Sequence, residues 1–151
     1  MSDFRILTGI VAVSPQISKA DIDEAAEAGV TLIINNRPDG EEAAQPSNAE
    51  LKAYAESKGI AWAHIPVVGG QLSLDAVAET AELIGAAEGP ILAYCRSGTR
   101  SCTLWALAQA MSDDYSIEDI VGAAADVGYD LSHLIGTLED IRARQSAATG
   151  D

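Results

Sequence analysis

Residues 95–101 read Cys-Arg-Ser-Gly-Thr-Arg-Ser. An apolar run, Ile91-Leu92-Ala93-Tyr94, leads in, and a helical run, CTLWALAQAM, leads out. This order of residue types suits a nucleophile. A thiolate, not a thiol, attacks electrophiles, and the sequence places three thiolate-favouring features around Cys95. The helix that follows points its positive end at the turn. Successive backbone N–H groups of a tight turn form a nest for negative charge. Arg100, helped by Arg96, adds full positive charge. Gly98 permits a backbone conformation that other residues resist, and Ser101 is placed to donate a hydrogen bond to the thiolate. Alone, Cys95 would read as a small buried residue ending a strand. With glycine, arginine and serine at these offsets it reads as a nucleophile, with Arg100 binding the substrate anion and Arg96, Ser97, Gly98, Thr99 and Ser101 completing an anion-binding loop.

Composition sharpens this. The chain has 151 residues and a formal net charge of −14, with only nine Lys and Arg. Such a surface repels nucleic acid and anionic membranes. Two of the nine cations nevertheless fall in one short turn, which marks a local anion site. The length suits one domain with its own core. With 48 % hydrophobic residues the chain is not a disordered segment. The N-terminal MSDFRILTGI does not read as a secretory leader and no run is long enough to span a membrane, so the cytoplasm is the expected location. Cys95 and Cys102 are too few for a disulfide scaffold and fit a reducing compartment.

The elements that must position the turn alternate between strand and helix. ILTGIVAV reads as a strand or hairpin. Ser18 caps a helix ended by Gly29. VTLIINN (30–36) is a continuous apolar strand of the kind a buried parallel sheet requires. After the loop 37–46, Ser47 and Glu50 form a capping box for a helix ended by Gly59. Residues 60–67 and 89–94 read as further strands, with a helix capped by Ser73 between them. Helices follow from the cysteine turn to Met111, from Ser116, and over about 131–145, with a domain over 1–145 and a flexible tail at 146–151. The expected fold is a single three-layer α/β domain with a mainly parallel sheet of four to five strands and a helical C-terminus. Ligands of such sheets bind beyond the carboxyl ends of the strands, where loops 37–46, 68–72 and 95–100 converge.

Cys-x-x-Gly-x-Arg-Ser resembles the active-site loops of two superfamilies. Tyrosine and dual-specificity phosphatases have five residues between cysteine and arginine; rhodanese-type sulfurtransferases have a shorter loop, and the four residues here match that length. A rhodanese has another strand after this loop, whereas this chain continues in helices and so resembles the phosphatase fold. Together with Ser14-Pro15-Gln16, Asn36-Arg37-Pro38-Asp39-Gly40-Glu41, Gln45-Pro46 and His64-Ile65-Pro66-Val67, the pattern from Phe4 to about Leu134 resembles the β-lactamase-hydrolase-like, phosphatase-like domain, also described as a small bacterial sulfur transferase family. The resemblance implies a phosphatase-like fold. It also suggests, as partner, a metallo-β-lactamase-type persulfide dioxygenase.

Chemistry separates the two activities. Cleaving a phosphate ester expels an alkoxide or phenoxide that a general acid must protonate. The resemblance puts that acid in the loop before the third helix, but Val67–Leu72 contains no carboxylate, and Asp75 belongs to the helix dipole. Sulfur transfer needs no such acid, because sulfite or a thiolate leaves as a stable anion. The expected activity is therefore transfer of sulfane sulfur from thiosulfate or a small persulfide through a Cys95 persulfide. The alternatives are a Cys95-dependent phosphatase, or a module that binds an anion or phosphoprotein without turnover. Asp39 is the acid that would rescue the phosphatase, although a Pro-Asp-Gly turn explains it without chemistry. Arg37 is either a further anion contact or the partner of Glu41, and Gln45-Pro46 either lines the pocket or precedes a cap. His64 reads as a core histidine and His133 as structural or exposed. Cys102 reads as core, with a resolving thiol as the other role. No spacing suggests a metal ligand set or a dinucleotide fingerprint, and no cofactor is expected.

Overall fold

The computed structural model describes residues 3–68 and 72–148. Five strands form one sheet: β1 (Arg5–Ile6), β2 (Val11–Ser14), β3 (Leu32–Asn35), β4 (Ala61–His64) and β5 (Ile91–Tyr94). Their order is β1-β2-β5-β3-β4. The N-terminal segment is the antiparallel hairpin β1–β2. Every other pairing is parallel, as the apolar strand runs and intervening helices require.

The central strand β5 is buried throughout. Side chains alternate between the faces of a strand, and the core divides accordingly. On one face Ile33, Leu92 and Tyr94 pack with Ile17, Ile22 and Leu51, beneath α1 (Lys19–Glu27) and α2 (Asn48–Ser57). On the other, Ile34, Ile91 and Ala93 pack with Leu104, Trp105 and Leu107. That layer holds α3 (Leu74–Ala86), α4 (Thr99–Ala110), α5 (Ile117–Asp126) and α6 (Ile135–Ala148). Helix α4 is buried along nearly its whole length, from Ser101 to Ala110. Its first residue, Thr99, is exposed, and from there the helix runs into the core.

Three expectations shift. The capping box falls at Ser18, where Ser18 and Asp21 bond reciprocally. At Ser47 only half forms: its hydroxyl accepts from the Glu50 N–H, while the Glu50 carboxylate pairs with Lys19 at 3.5 Å. His64 is exposed on edge strand β4, because only one neighbour covers that strand, so it is not a core residue. The last helix begins after a 3-10 turn (Ser132–Leu134) and continues to Ala148, three residues into the expected tail. Residues 149–151, and 69–71 of the loop before α3, lie outside the described residues. Among the described residues no helix is long and apolar enough to cross a membrane.

Candidate active site

At the C-terminal end of β5 the chain passes Cys95 and turns through Gly98 into α4. Gly98 is the N-cap and has φ 92°, in the left-handed region. That turn aims the Gly98 N–H at the Cys95 sulfur, 3.1 Å away. Cys95 is fully buried. The sulfur thus sits at the positive end of a buried helix, where little water screens the field.

Neighbouring elements hold the turn. The Gln16 N–H donates to the Arg96 carbonyl (3.2 Å), and the Tyr129 hydroxyl donates to the Ser97 carbonyl (2.9 Å). Asn36, at the end of β3, ties four pieces together. Its N–H donates to Tyr94 O and its carbonyl accepts from the Val67 N–H. Its amide nitrogen donates to Ile65 O (2.9 Å) and its amide oxygen accepts from the Ser101 hydroxyl (2.7 Å). The Ser101 hydroxyl is therefore committed to Asn36 rather than given to the sulfur, as the sequence suggested. Ser97 and Thr99 bond to each other at the mouth of the turn (3.0 Å).

Arg100 reaches across to both other loops. Its Nη1 donates to Val67 O (2.7 Å) and to Glu41 Oε2 (2.7 Å), and its Nη2 donates to Glu41 Oε1 (2.8 Å). Its pKa is raised first by Glu41 and in smaller part by the nearby charge of Cys95. So the arginine expected beside the cysteine is there, but its end-on fork already grips a carboxylate.

That carboxylate belongs to a larger cluster. Arg37, 2 % exposed, donates to Glu41 (2.8 Å), Glu42 (2.6 Å) and Gln16 (2.9 Å). It is the partner of Glu41 and holds the loop down. Glu42 also approaches the exposed Arg96 at 3.4 Å. Arg100 first, then Arg37, draws the Glu41 pKa down from 4.5 to about 2. Glu41 is thus ionised throughout the neutral range and cannot serve there as a proton donor.

The remaining candidates scatter. Asp39 accepts from the Asn48 N–H (2.8 Å), so it caps α2 instead of facing the sulfur. Asp75 lies exposed in the first turn of α3. Gln45 and Pro46 do line a pocket, of ≈ 330 Å³, with Gln16, Arg37, Glu42 and Arg96. Arg100 lines a second pocket of ≈ 290 Å³ with Val67, Leu72, Thr99, Thr103, His133 and Leu134. His64 bonds through Nε2 to the Arg37 carbonyl (3.1 Å) and supports the cluster from outside. Cys102 is fully buried, and burial first, then the charge on Cys95, pushes its thiol up to about 12. It packs in the core with Leu104 and Trp105. Among the described residues no group of His, Cys, Asp and Glu is placed to hold a metal.

Sequence reading missed Tyr129 and the bridging role of Asn36, and it treated Glu41 only as a partner for Arg37. The Asn-Arg-Pro-Asp-Gly-Glu-Glu run held the signal for Glu41. Nothing local marks Tyr129, which comes from beyond α5.

Comparison with known proteins adds the relations of the whole chain. The family described as "Beta-lactamase hydrolase-like protein, phosphatase-like domain" matches residues 3–112. A β-lactamase hydrolase-like protein of Agrobacterium fabrum is 36 % identical over 138 residues, 91 % of this chain and 31 % of that protein. One from Xylella fastidiosa is 32 % identical over 129 residues, 85 % of this chain and 30 % of that protein. The chain thus spans about a third of these relatives' length. A solved structure from Neisseria meningitidis, described as a candidate phosphatase, is 35 % identical with a TM-score of 0.81, covering 94 % of this chain and all of the other. Kinase associated phosphatase, solved with its catalytic-site cysteine replaced by serine, shares the fold at 20 % identity with a TM-score of 0.72, covering 91 % of this chain and 88 % of the other. The fold is thus that of the protein tyrosine phosphatases, as expected.

Two predictions follow from the geometry. A Cβ on Gly98 would lie 2.1 Å from the Tyr129 hydroxyl, and alanine at this φ is strained besides. Gly98→Ala should cost at least about 2 kcal/mol in urea unfolding. Combined with Tyr129→Phe it should cost less than the two changes added, because the clash is shared. The second concerns acid. Because the folded protein holds the Glu41 pKa below its unfolded value, the Glu41 ion pairs contribute stability that is fully present above about 4.5 and lost as pH falls towards about 2. In Glu41→Gln, unfolding midpoints should fall less steeply across that window than in the wild type.

Proposed function

The chain belongs to the β-lactamase hydrolase-like, phosphatase-like domain family, and we propose that it is a cysteine-dependent phosphatase. Its substrates would be small phosphate monoesters with good leaving groups, such as aryl phosphates. The observation that carries this reading is the Gly98 N–H aimed at a fully buried Cys95 sulfur beside Arg100, on a phosphatase fold.

The Cys95 thiolate attacks phosphorus. The S–P bond forms as the P–O bond to the leaving group breaks, and the leaving group departs with the bonding pair as a phenolate, which takes its proton from water. The backbone of the turn and the side-on edge of Arg100 hold the oxygens that gain charge. Water then attacks the phosphocysteine, the P–S bond breaks, and inorganic phosphate leaves as the thiolate re-forms. The pocket walled by Leu72, Thr103 and Leu134 takes the organic part of the ester.

The substrate class follows from the carboxylates. Asp39 caps a helix, Glu41 is an ionised partner of two arginines, and residues 69–71 are Gly-Gly-Gln. With neither Asp39 nor Glu41, among the described residues, free to protonate the departing oxygen, esters whose leaving group is stable as an anion turn over best.

One observation favours a second reading, sulfur transfer through a Cys95 persulfide: the turn has four residues between Cys95 and Arg100. Thiosulfate or a persulfide would also release its leaving group without an acid.

A series of aryl phosphates tests both. The phosphatase should show kcat/KM rising steeply as the leaving phenol becomes more acidic, with Cys95→Ser inactive. Flat, trace activity that survives in Cys95→Ser would overturn it. Thiosulfate-dependent gain of one sulfur on Cys95 in the same preparation would then establish the second reading.

A further inference from the structure

Three guanidinium groups surround the cysteine turn, yet the loop after β3 returns two carboxylates to them. Glu41 bridges Arg37 and Arg100, and Glu42 bridges Arg37 and Arg96. Two carboxylates thus answer two of the three positive charges within the rim. An anion site with so much arginine would ordinarily prefer the more highly charged ligand. Here most of that charge is answered before any ligand arrives.

Glu41 is the decisive member. Its carboxylate meets Arg100 through two bonds of 2.7 and 2.8 Å, while Val67 O takes another Nη1 hydrogen. These contacts occupy the end of the guanidinium. The Nε–Nη2 edge remains for a ligand at the sulfur, but with its charge already half answered. Glu42 does not touch Arg100.

We propose that Glu41 is a specificity-determining residue that sets the charge selectivity of the Cys95 site. With Glu41 in place the site takes singly and doubly charged tetrahedral anions about equally. Without its charge the site selects dianions. The inference rests on Cys95 and Arg100 forming the anion site of the proposed function and holds for either a phosphate ester or a sulfur donor. The loop does not depend on Glu41 alone, because Arg37 keeps Glu42 and Gln16 and Arg100 keeps Val67. A glutamine retains one acceptor for both.

The test needs no turnover, so its result is separate from that of the function itself. Sulfate and methanesulfonate share a tetrahedral sulfur bearing three oxygens, differ in a fourth oxygen against a methyl group, and carry two charges and one. Each is titrated for its ability to slow alkylation of Cys95 by iodoacetamide, a neutral reagent, read as intact mass. In the wild type the two anions should protect within about threefold of each other. In Glu41→Gln, sulfate should gain about tenfold over methanesulfonate, the effect of one unit charge a few ångströms away in a partly wet site. The remote surface variant Glu56→Gln, with the same change in net charge, should leave the ratio alone. A wild type that already prefers sulfate tenfold, or a folded Glu41→Gln whose ratio does not move, would overturn the proposal. So would an equal shift in Glu56→Gln.

Discussion

A single backbone conformation organises this molecule: the left-handed Gly98 that turns β5 into α4. A strand and a helix joined without that turn would direct the helix amides along the axis and away from the cysteine. With it, a backbone donor meets the sulfur at 3.1 Å and the end of a buried helix faces the same point. The surroundings are built to hold the turn. Tyr129 arrives from beyond α5 to bond the Ser97 carbonyl and fills the space a Cβ would need. Asn36 ties the ends of β3 and β5, the segment after β4, and Ser101 on α4. The centre of the sheet supplies a rigid base, because β5 lies between two parallel neighbours and is buried throughout.

Over this base lies a layer of charge. A chain with a formal net charge of −14 gathers Arg37, Arg96 and Arg100 at one end of its sheet and then answers them with Glu41 and Glu42. Burying Arg37 would be costly were it unpaired; its three hydrogen bonds make it a structural pin for the loop. Arg100 is shared between loop and sulfur. One carboxylate, Glu41, thus ties both arginines to the loop.

The fold was legible because its signals are local. The apolar runs 30–36 and 89–94 hold the parallel strands Leu32–Asn35 and Ile91–Tyr94, and Ser18, Ser47, Ser73 and Ser116 cap helices where the sequence places them. The cysteine turn was legible for the same reason: cysteine, glycine and arginine sit within six residues. What escaped the sequence depends on contacts between distant segments. Ser101 looked like a donor to the thiolate until Asn36, 65 residues away, took its hydroxyl. Arg37 could not be assigned between ligand and Glu41 until the loop folded over it. Asp39 met the Asn48 N–H rather than the pocket. His64 seemed internal because strand order, which puts β4 at the edge, is not written in the strand itself. The expected preference for sulfur transfer rested on loop length and a missing acid, while the likeness of the whole chain is to phosphatases.

In the proposed reaction Cys95 carries the transferred group. Rapid acid quenching of the protein during turnover of an aryl phosphate, followed by peptide mass mapping, tests it directly. One phosphoryl group should appear on the peptide containing Cys95, formed within the first turnover and absent from Cys95→Ser. Steady release of phosphate with no adduct on that peptide, in protein whose Cys95→Ser variant still turns over, would contradict it.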